Sequence, residues 1–380
     1  MKQNLKKPIV AGVGWEPVDE TQDLNLVLKK LGNNTGNLIF SESIFRLFPE
    51  AQRSPFNHLH KRIGSDRDCI VIAAANWLNE KADFSGLVET LEQTNVPIVV
   101  LGLGAQAGMD GRIPNLRPGT ERFVRLLAER SPLISARGQF SCEVLEKYGA
   151  TNAVPTGCPS MLMAGHHAPR FRVTPGWDDL RPEEVLVYGT RHHFHAASGI
   201  SAELYKVALQ KQFDILLQSE LADFYFALDR CGELDKPEEV KSHLAKVYQD
   251  SPEAVARYLA DHGRVFFELD GWFDCCRQKS FLIGTRIHGT ISGILSGTPS
   301  LLIAHDSRTV ELAETMNVPY VLEQGLDVRD ESTLRGLYES LEGHSFQSSY
   351  ERYLKNFNSF FERCGLEVSI SSRAEEAALS

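Results

Sequence analysis

The sequence predicts an α/β protein of two Rossmann-like, doubly wound domains that face each other across a cleft. Three observations carry that expectation. Strand-length apolar runs recur with helical patterns between them, a segment rich in Pro and Gly divides the series, and 380 residues exceed what one small core organises. The runs at 69–75 (CIVIAAA) and 97–104 (PIVVLGLG) are continuously apolar, the mark of parallel strands buried on both faces.

Taken in order, 8–14 (PIVAGVG) reads as a strand and the amphipathic stretch 21–31 as a helix. The turn formers of 32–37 (GNNTGN) lead into a helical pattern at 38–48. Strand 69–75, helix 84–94, strand 97–104, helix 121–131, strand 133–136 and helix 141–148 follow, the last closed by Gly149. Val154 then leads to TGCPSM at 156–161. A repeated β-α order of this kind implies a parallel sheet. Residues 164–184 have the Pro, Gly and polar content of a linker. Beyond them a second series runs through strand 185–188, helix 202–212, strand 213–217, helices 237–250 and 252–262, a short strand at 265–268 and helix 271–278. Strand 281–283, the helix after it, strand 300–304 and helix 310–316 complete it. The pattern at 348–362 carries Tyr350, Tyr353, Phe357, Phe360 and Phe361 and reads as a terminal helix packed across one or both domains. The expected division is 2–165, 184–343, and a helix and tail at 344–380 that returns toward the first domain. Two doubly wound domains joined by a linker form a glycosyltransferase-B-like architecture, whose ligand lies at the carboxyl ends of the strands.

The stretch that organises the chain is 281–299, FLIGTRIHGTISGILSGTP. A buried strand runs through a turn carrying Arg286 and His288 into a helix whose Gly289, Ser292, Gly293 and Ser296 permit close packing. A helix N-terminus offers free amides and the positive end of its dipole, so this turn suits an anion with an acid/base group beside it. An ordinary βα turn, with Arg286 in a surface ion pair and His288 capping the helix, fits the same residues.

Composition sets the surroundings. Charged residues at 24% and hydrophobic ones at 42% describe a globular protein with a watery surface. The formal net charge of -10 disfavours nucleic acid and anionic lipid, so an anionic ligand needs a local basic cluster. No run reaches the roughly 18 apolar residues of a membrane span, and the start MKQNLKKPIVAGVG passes straight into a strand rather than a signal segment. A cytoplasmic setting without an integral membrane segment is expected. The seven cysteines are scattered, with Cys275-Cys276 vicinal and no CxxC, and are expected to be reduced, largely buried thiols. His192, His193 and His195 read as a loop of imidazoles rather than a metal site, and no metal or cofactor is expected.

The motifs then become specific. Thr285-Arg286-Ile287-His288-Gly289, Gly297-Thr298-Pro299, the strand SLLIA, and Asp306 with Arg308 resemble the signature of the polysaccharide pyruvyl transferase family. So do GNNTGN, GLGAQ at 102–106, SARG at 135–138 and TGCPSM, and the resemblance spans roughly 8–325. The chain departs from the pattern at Asn37, where the family tends to Asp, at His305, where it has Tyr, and at Arg308, where it has Lys.

The resemblance implies transfer of the enolpyruvyl unit of phosphoenolpyruvate to two hydroxyls of one sugar, giving a pyruvate ketal on a cell-surface polysaccharide or its lipid-linked precursor. Such a donor carries phosphate and carboxylate and needs several cations. Arg286, Arg308 and Arg191 are the expected ligands, with Arg137 reaching across the cleft, and His288 is the expected acid/base. Asn34, Gly36 and Gln106 are expected to face the cleft as substrate-binding residues. A surface arginine beside the His-rich loop fits Arg191 as well, a structural ion pair fits Arg137, and a turn role fits Asn34 and Gly36. Two other functions remain open from the residues: a nucleotide-sugar glycosyltransferase, with Gln218-Ser219-Glu220 as its weak ribose candidate, and a non-catalytic protein that kept the cleft.

Overall fold

Eight of the described strands are buried along their whole length, and the two sheets are built on them. The computed structural model describes residues 5–64, 66–106, 111–190 and 199–371. In the first sheet the strands are β1 (Pro8–Ala11), β2 (Gln52–Ser54), β3 (Cys69–Ala73), β4 (Ile98–Leu103), β5 (Ile134–Ala136) and β6 (Ala153–Pro155). They lie in the order β2-β1-β3-β4-β5-β6, all parallel. The second holds β7 (Val185–Tyr188), β8 (Asp214–Leu217), β9 (Gly263–Val265), β10 (Phe281–Gly284), β11 (Ser300–Ala304) and β12 (Tyr320–Leu322), in the order β12-β11-β10-β7-β8-β9. These strands are also parallel. The two Rossmann-like halves are therefore separate sheets, not one continuous sheet.

Each sheet is wound in both directions from an inner pair, β1/β3 in the first and β7/β10 in the second. A chain that reverses its winding leaves a crevice beyond the carboxyl ends of that pair, because the two connections leave toward opposite faces. The register of β7 on β10 sets Tyr188 beside Gly284. A side chain on Gly289 would meet the Tyr188 ring at 2.8 Å. The small residues of the helix Ile287–Leu295 thus seat it against its own sheet.

The halves are clasped at several points. Glu311, on the helix Ser307–Met316, accepts from the backbone N–H and the hydroxyl of Ser141, each at 2.9 Å, in the first turn of the helix Gln139–Lys147. Burial raises the pKa of this carboxyl. Thr35 N donates to Gln218 O at 2.9 Å, and Arg230 reaches the carbonyls of Glu20 and Gln22 at 2.8 and 2.9 Å. The aromatic helix Gln347–Cys364 returns to the first half: Tyr350 donates to Met161 O and Gly165 O, and Tyr353 to Cys158 O.

Several elements differ from expectation. The short strand anticipated at 265–268 is Gly263–Val265, and Glu268 instead caps the helix Leu269–Gln278 by accepting from Asp270 N and Gly271 N. The three-residue strands β2 and β12 at the sheet edges, and the helices Leu221–Ala227 and Glu331–Glu339, were not expected. All seven cysteines are free, and among the described residues no helix is long and apolar enough to cross a membrane.

Candidate active site

The crevice beyond β1 and β3 holds a cavity of about 800 Å³. Trp15 lines it from the loop after β1, Asn76 and Trp77 from the loop after β3, and Asn34 from the loop ahead of the helix Asn37–Leu47. Arg137 enters from the end of β5, while His288 and Arg308 come from the second half. A cavity of similar size, about 820 Å³, lies between the linker and residues 338–347, but its Arg172 is already bonded to Thr298 and to the carbonyl of Lys279.

Arg137 is placed by two glycines of the segment GLGAQ. Gly102 has φ +73°, at the register shift between β4 and β5, and its carbonyl accepts from Arg137 Nε at 2.9 Å. A non-glycine residue is strained at that φ, and its Cβ would meet Pro159 at 2.7 Å. A Cβ on Gly104 would stand 2.6 Å from Arg137 Cδ, so this glycine makes room for the arginine stem. Arg137 is 2% exposed, its guanidinium carbon lies 5.7 Å from the centre of the Phe40 ring, and its Nη2 is buried without a partner.

Arg308 sits in the first turn of the helix Ser307–Met316, where Asp306 caps the end by accepting from Thr309 N at 2.8 Å. Asp306 also holds Arg308 Nη2 at 3.3 Å, yet Arg308 Nε is buried without a partner. Two cations therefore converge with donor groups unused. Leaving such a donor buried and unbonded costs about 1–3 kcal/mol, and an anion between the two removes that cost.

His288 lines the same cavity, 6% exposed, in the first turn of its helix. It does not cap that helix, whose N-cap is Arg286 with no side-chain cap bond. Its Nε2 stands 3.5 Å from Cys158 Sγ, and its ring is 5.4 Å from that of Phe40. Burial, then the charges of Arg137, Arg308 and Arg286, hold its pKa well below the ordinary histidine value. The imidazole is therefore neutral near pH 7, and a bound dianion shifts it back toward protonation.

Arg286 is engaged within the protein. It occupies the expected turn after β10, but its guanidinium is taken up by the protein: Nε donates to Gly189 O at 2.6 Å, and Nη2 bonds Ser219 Oγ and Glu220 Oε1, the latter at 2.6 Å. Glu220, with a side chain 1% exposed, also accepts from Gln218 N and Ser219 N. The ion pair ties the loop after β8 to the switch point, and Ser219 and Glu220 hold Arg286 there. Arg286→Ala is expected to destabilise the fold by about 3–5 kcal/mol, the range for stripping one partner from a buried pair. Denaturant unfolding measures this, and a loss below about 1 kcal/mol would show that the pair does not hold the loop.

The remaining expected site residues divide. Arg191 and the His-rich segment lie outside the described residues. Asn34 lines the cavity while its Oδ1 accepts from Gly36 N at 2.9 Å, so it serves turn and cleft together. Gly36 is required by packing, since a Cβ there would meet Gln218 Oε1 at 2.6 Å. Gln106 bonds the side chain of Asn76, which lines the cavity in its place. Asn37 donates to Leu31 O at 2.9 Å and closes the loop. Trp15, Asn76 and Trp77 were not anticipated, although each follows closely on a buried strand of the switch pair, where ligands gather.

A model of the polysaccharide pyruvyl transferase family matches residues 27–307. No curated protein matches the chain. Among solved structures it resembles S. aureus MnaA in complex with UDP at 12% identity and TM-score 0.44, over 94% of this chain and 97% of that one. It also resembles Anabaena Alr3699/HepE in complex with UDP and glucose at 11% identity and TM-score 0.45, over 94% and 98%.

Proposed function

The chain belongs to the polysaccharide pyruvyl transferase family, and from that premise we propose that its cleft transfers the pyruvyl unit of phosphoenolpyruvate to a sugar as a ketal. The observation that carries this reading is the pair of buried, unbonded donors, Arg137 Nη2 and Arg308 Nε, that share one cavity with a neutral buried imidazole. Arg137 and Arg308 bind the phosphate and carboxylate of the donor, and the uncapped N-terminus of the helix Ile287–Leu295 adds its dipole.

The chemistry balances through one acid/base group. One sugar hydroxyl adds to C2 of the donor, a proton passes to the methylene C3, and a methyl group results. The C2–O bond to phosphate then breaks, the second hydroxyl adds to C2, and its proton leaves with the phosphate. His288, protonated once the dianion is bound, gives the proton to C3 and takes the next one from a hydroxyl. The acceptor, a free or lipid-linked saccharide, enters from the side of the first half, where Trp15, Trp77 and Asn76 line the cavity.

Donor binding is therefore coupled to proton uptake. The free imidazole titrates below its ordinary value and the bound one above that, so affinity for phosphoenolpyruvate rises as pH falls through the interval between them. Calorimetric titration near pH 7 in two buffers of different ionisation heat is expected to show uptake of up to one proton per donor, a component that disappears in His288→Ala. Binding of a nucleotide sugar with no binding of phosphoenolpyruvate would overturn the reading.

A further inference from the structure

Cys158 lies on no face that reaches a ligand, yet it touches the imidazole that does. It is fully buried in the turn between β6 and the short helical turn Pro159–Ala164, within the segment TGCPSM. Its carbonyl accepts from Tyr353 OH at 2.6 Å, which fixes the backbone from the C-terminal helix. Its sulfur receives the hydroxyl of Ser160 at 3.2 Å and stands 3.5 Å from His288 Nε2. Ser160, Cys158 and His288 thus form a buried row that ends at the cleft.

We propose that Cys158 is a positioning residue: its sulfur accepts the Nε2–H of His288 and leaves Nδ1 as the nitrogen that exchanges protons with the ligand. The inference rests on the acid/base role of His288. The other groups facing this ring cannot do the same work. Arg137, Arg308 and Arg286 are donors without acceptor capacity, and Phe40 offers only its ring. An imidazolium buried here needs an acceptor for the N–H turned away from the cleft, and among the described residues the sulfur is the one in reach. The hydroxyl of Ser160 donates to the same sulfur, as it does to an acceptor rather than to a competing donor.

The proton steps balance without any change at the thiol. The imidazolium gives its Nδ1 proton to the methylene carbon and becomes the neutral form that keeps Nε2–H on sulfur. Bare Nδ1 then takes the hydroxyl proton. The opposite tautomer would present an N–H where a base is required.

Histidine-15N NMR of the ligand-free protein at neutral pH is the test. The expected result is a single neutral tautomer of His288 with Nε2 protonated. In Cys158→Ala the tautomers mix, and the imidazole pKa, followed with inorganic phosphate bound, falls by about half to one pH unit, the equivalent of one modest hydrogen bond. Cys158→Ser restores both, because a hydroxyl also accepts. An Nδ1–H tautomer in the unaltered protein would overturn the proposal without any variant needing to fold, as would a Cys158→Ala protein with unchanged tautomer and pKa. Neither readout depends on turnover, so an error in the acid/base role of His288 would show separately, as activity that survives His288→Ala.

Discussion

Replacing His288 with alanine is expected to lower pyruvyl transfer at least 10²–10⁴-fold, roughly the contribution of a positioned acid/base, while phosphoenolpyruvate affinity stays within about tenfold, or about 1.4 kcal/mol. The two effects separate because of where the groups sit. The donor's charge is taken by Arg137 and Arg308, whose buried nitrogens lack other partners, whereas the imidazole is neutral before the donor arrives. Removing it takes away a proton carrier and leaves both cations in place. Phosphate release measured with a panel of saccharide acceptors, beside calorimetric donor binding, checks both halves. Turnover within a few-fold of the unaltered protein would remove His288 from the mechanism.

The second large effect belongs to the arginines. Arg308→Ala is expected to weaken phosphoenolpyruvate binding by about 1.5–3 kcal/mol, the range for a hydrogen bond to a charged group, which is about 10–150-fold in Kd. Arg137→Ala should cost at least as much, since this guanidinium is the more buried and meets the donor with less competition from water. Each substitution should also raise the pKa of His288 toward the ordinary value, because both charges hold it down. A structural arginine would alter stability without moving either the affinity or the histidine titration. Comparing the three readouts in one variant separates the roles.

How much of this was legible in the sequence depends on the distance over which each feature is decided. The apolar strands are local, and CIVIAAA and PIVVLGLG became β3 and β4 with only their ends trimmed. The strand-to-helix turn with His288 is equally local, and it reaches the cavity as expected. Arg137 could be read as a structural arginine. Its place depends on Gly102 and Gly104, 35 and 33 residues earlier, and its charge meets that of Arg308 from the other half. Arg286 looked like the natural anion ligand because nothing near it in sequence is acidic. Its partner Glu220 lies 66 residues away on the neighbouring loop of the sheet. The edge strands β2 and β12 escaped because three residues carry too little pattern to separate from loop. Local periodicity locates the turn that bears the chemistry, while tertiary pairing decides which cation in it remains available.

The most direct measurement is a structure of the protein with phosphoenolpyruvate bound. The donor is expected in the cleft, with phosphate or carboxylate oxygens within hydrogen-bond distance of Arg137 Nη2 and Arg308 Nε and the methylene carbon beside His288 Nδ1. A donor held by Arg286 after release from Glu220, or one seated in the linker cavity away from His288, would contradict that expectation.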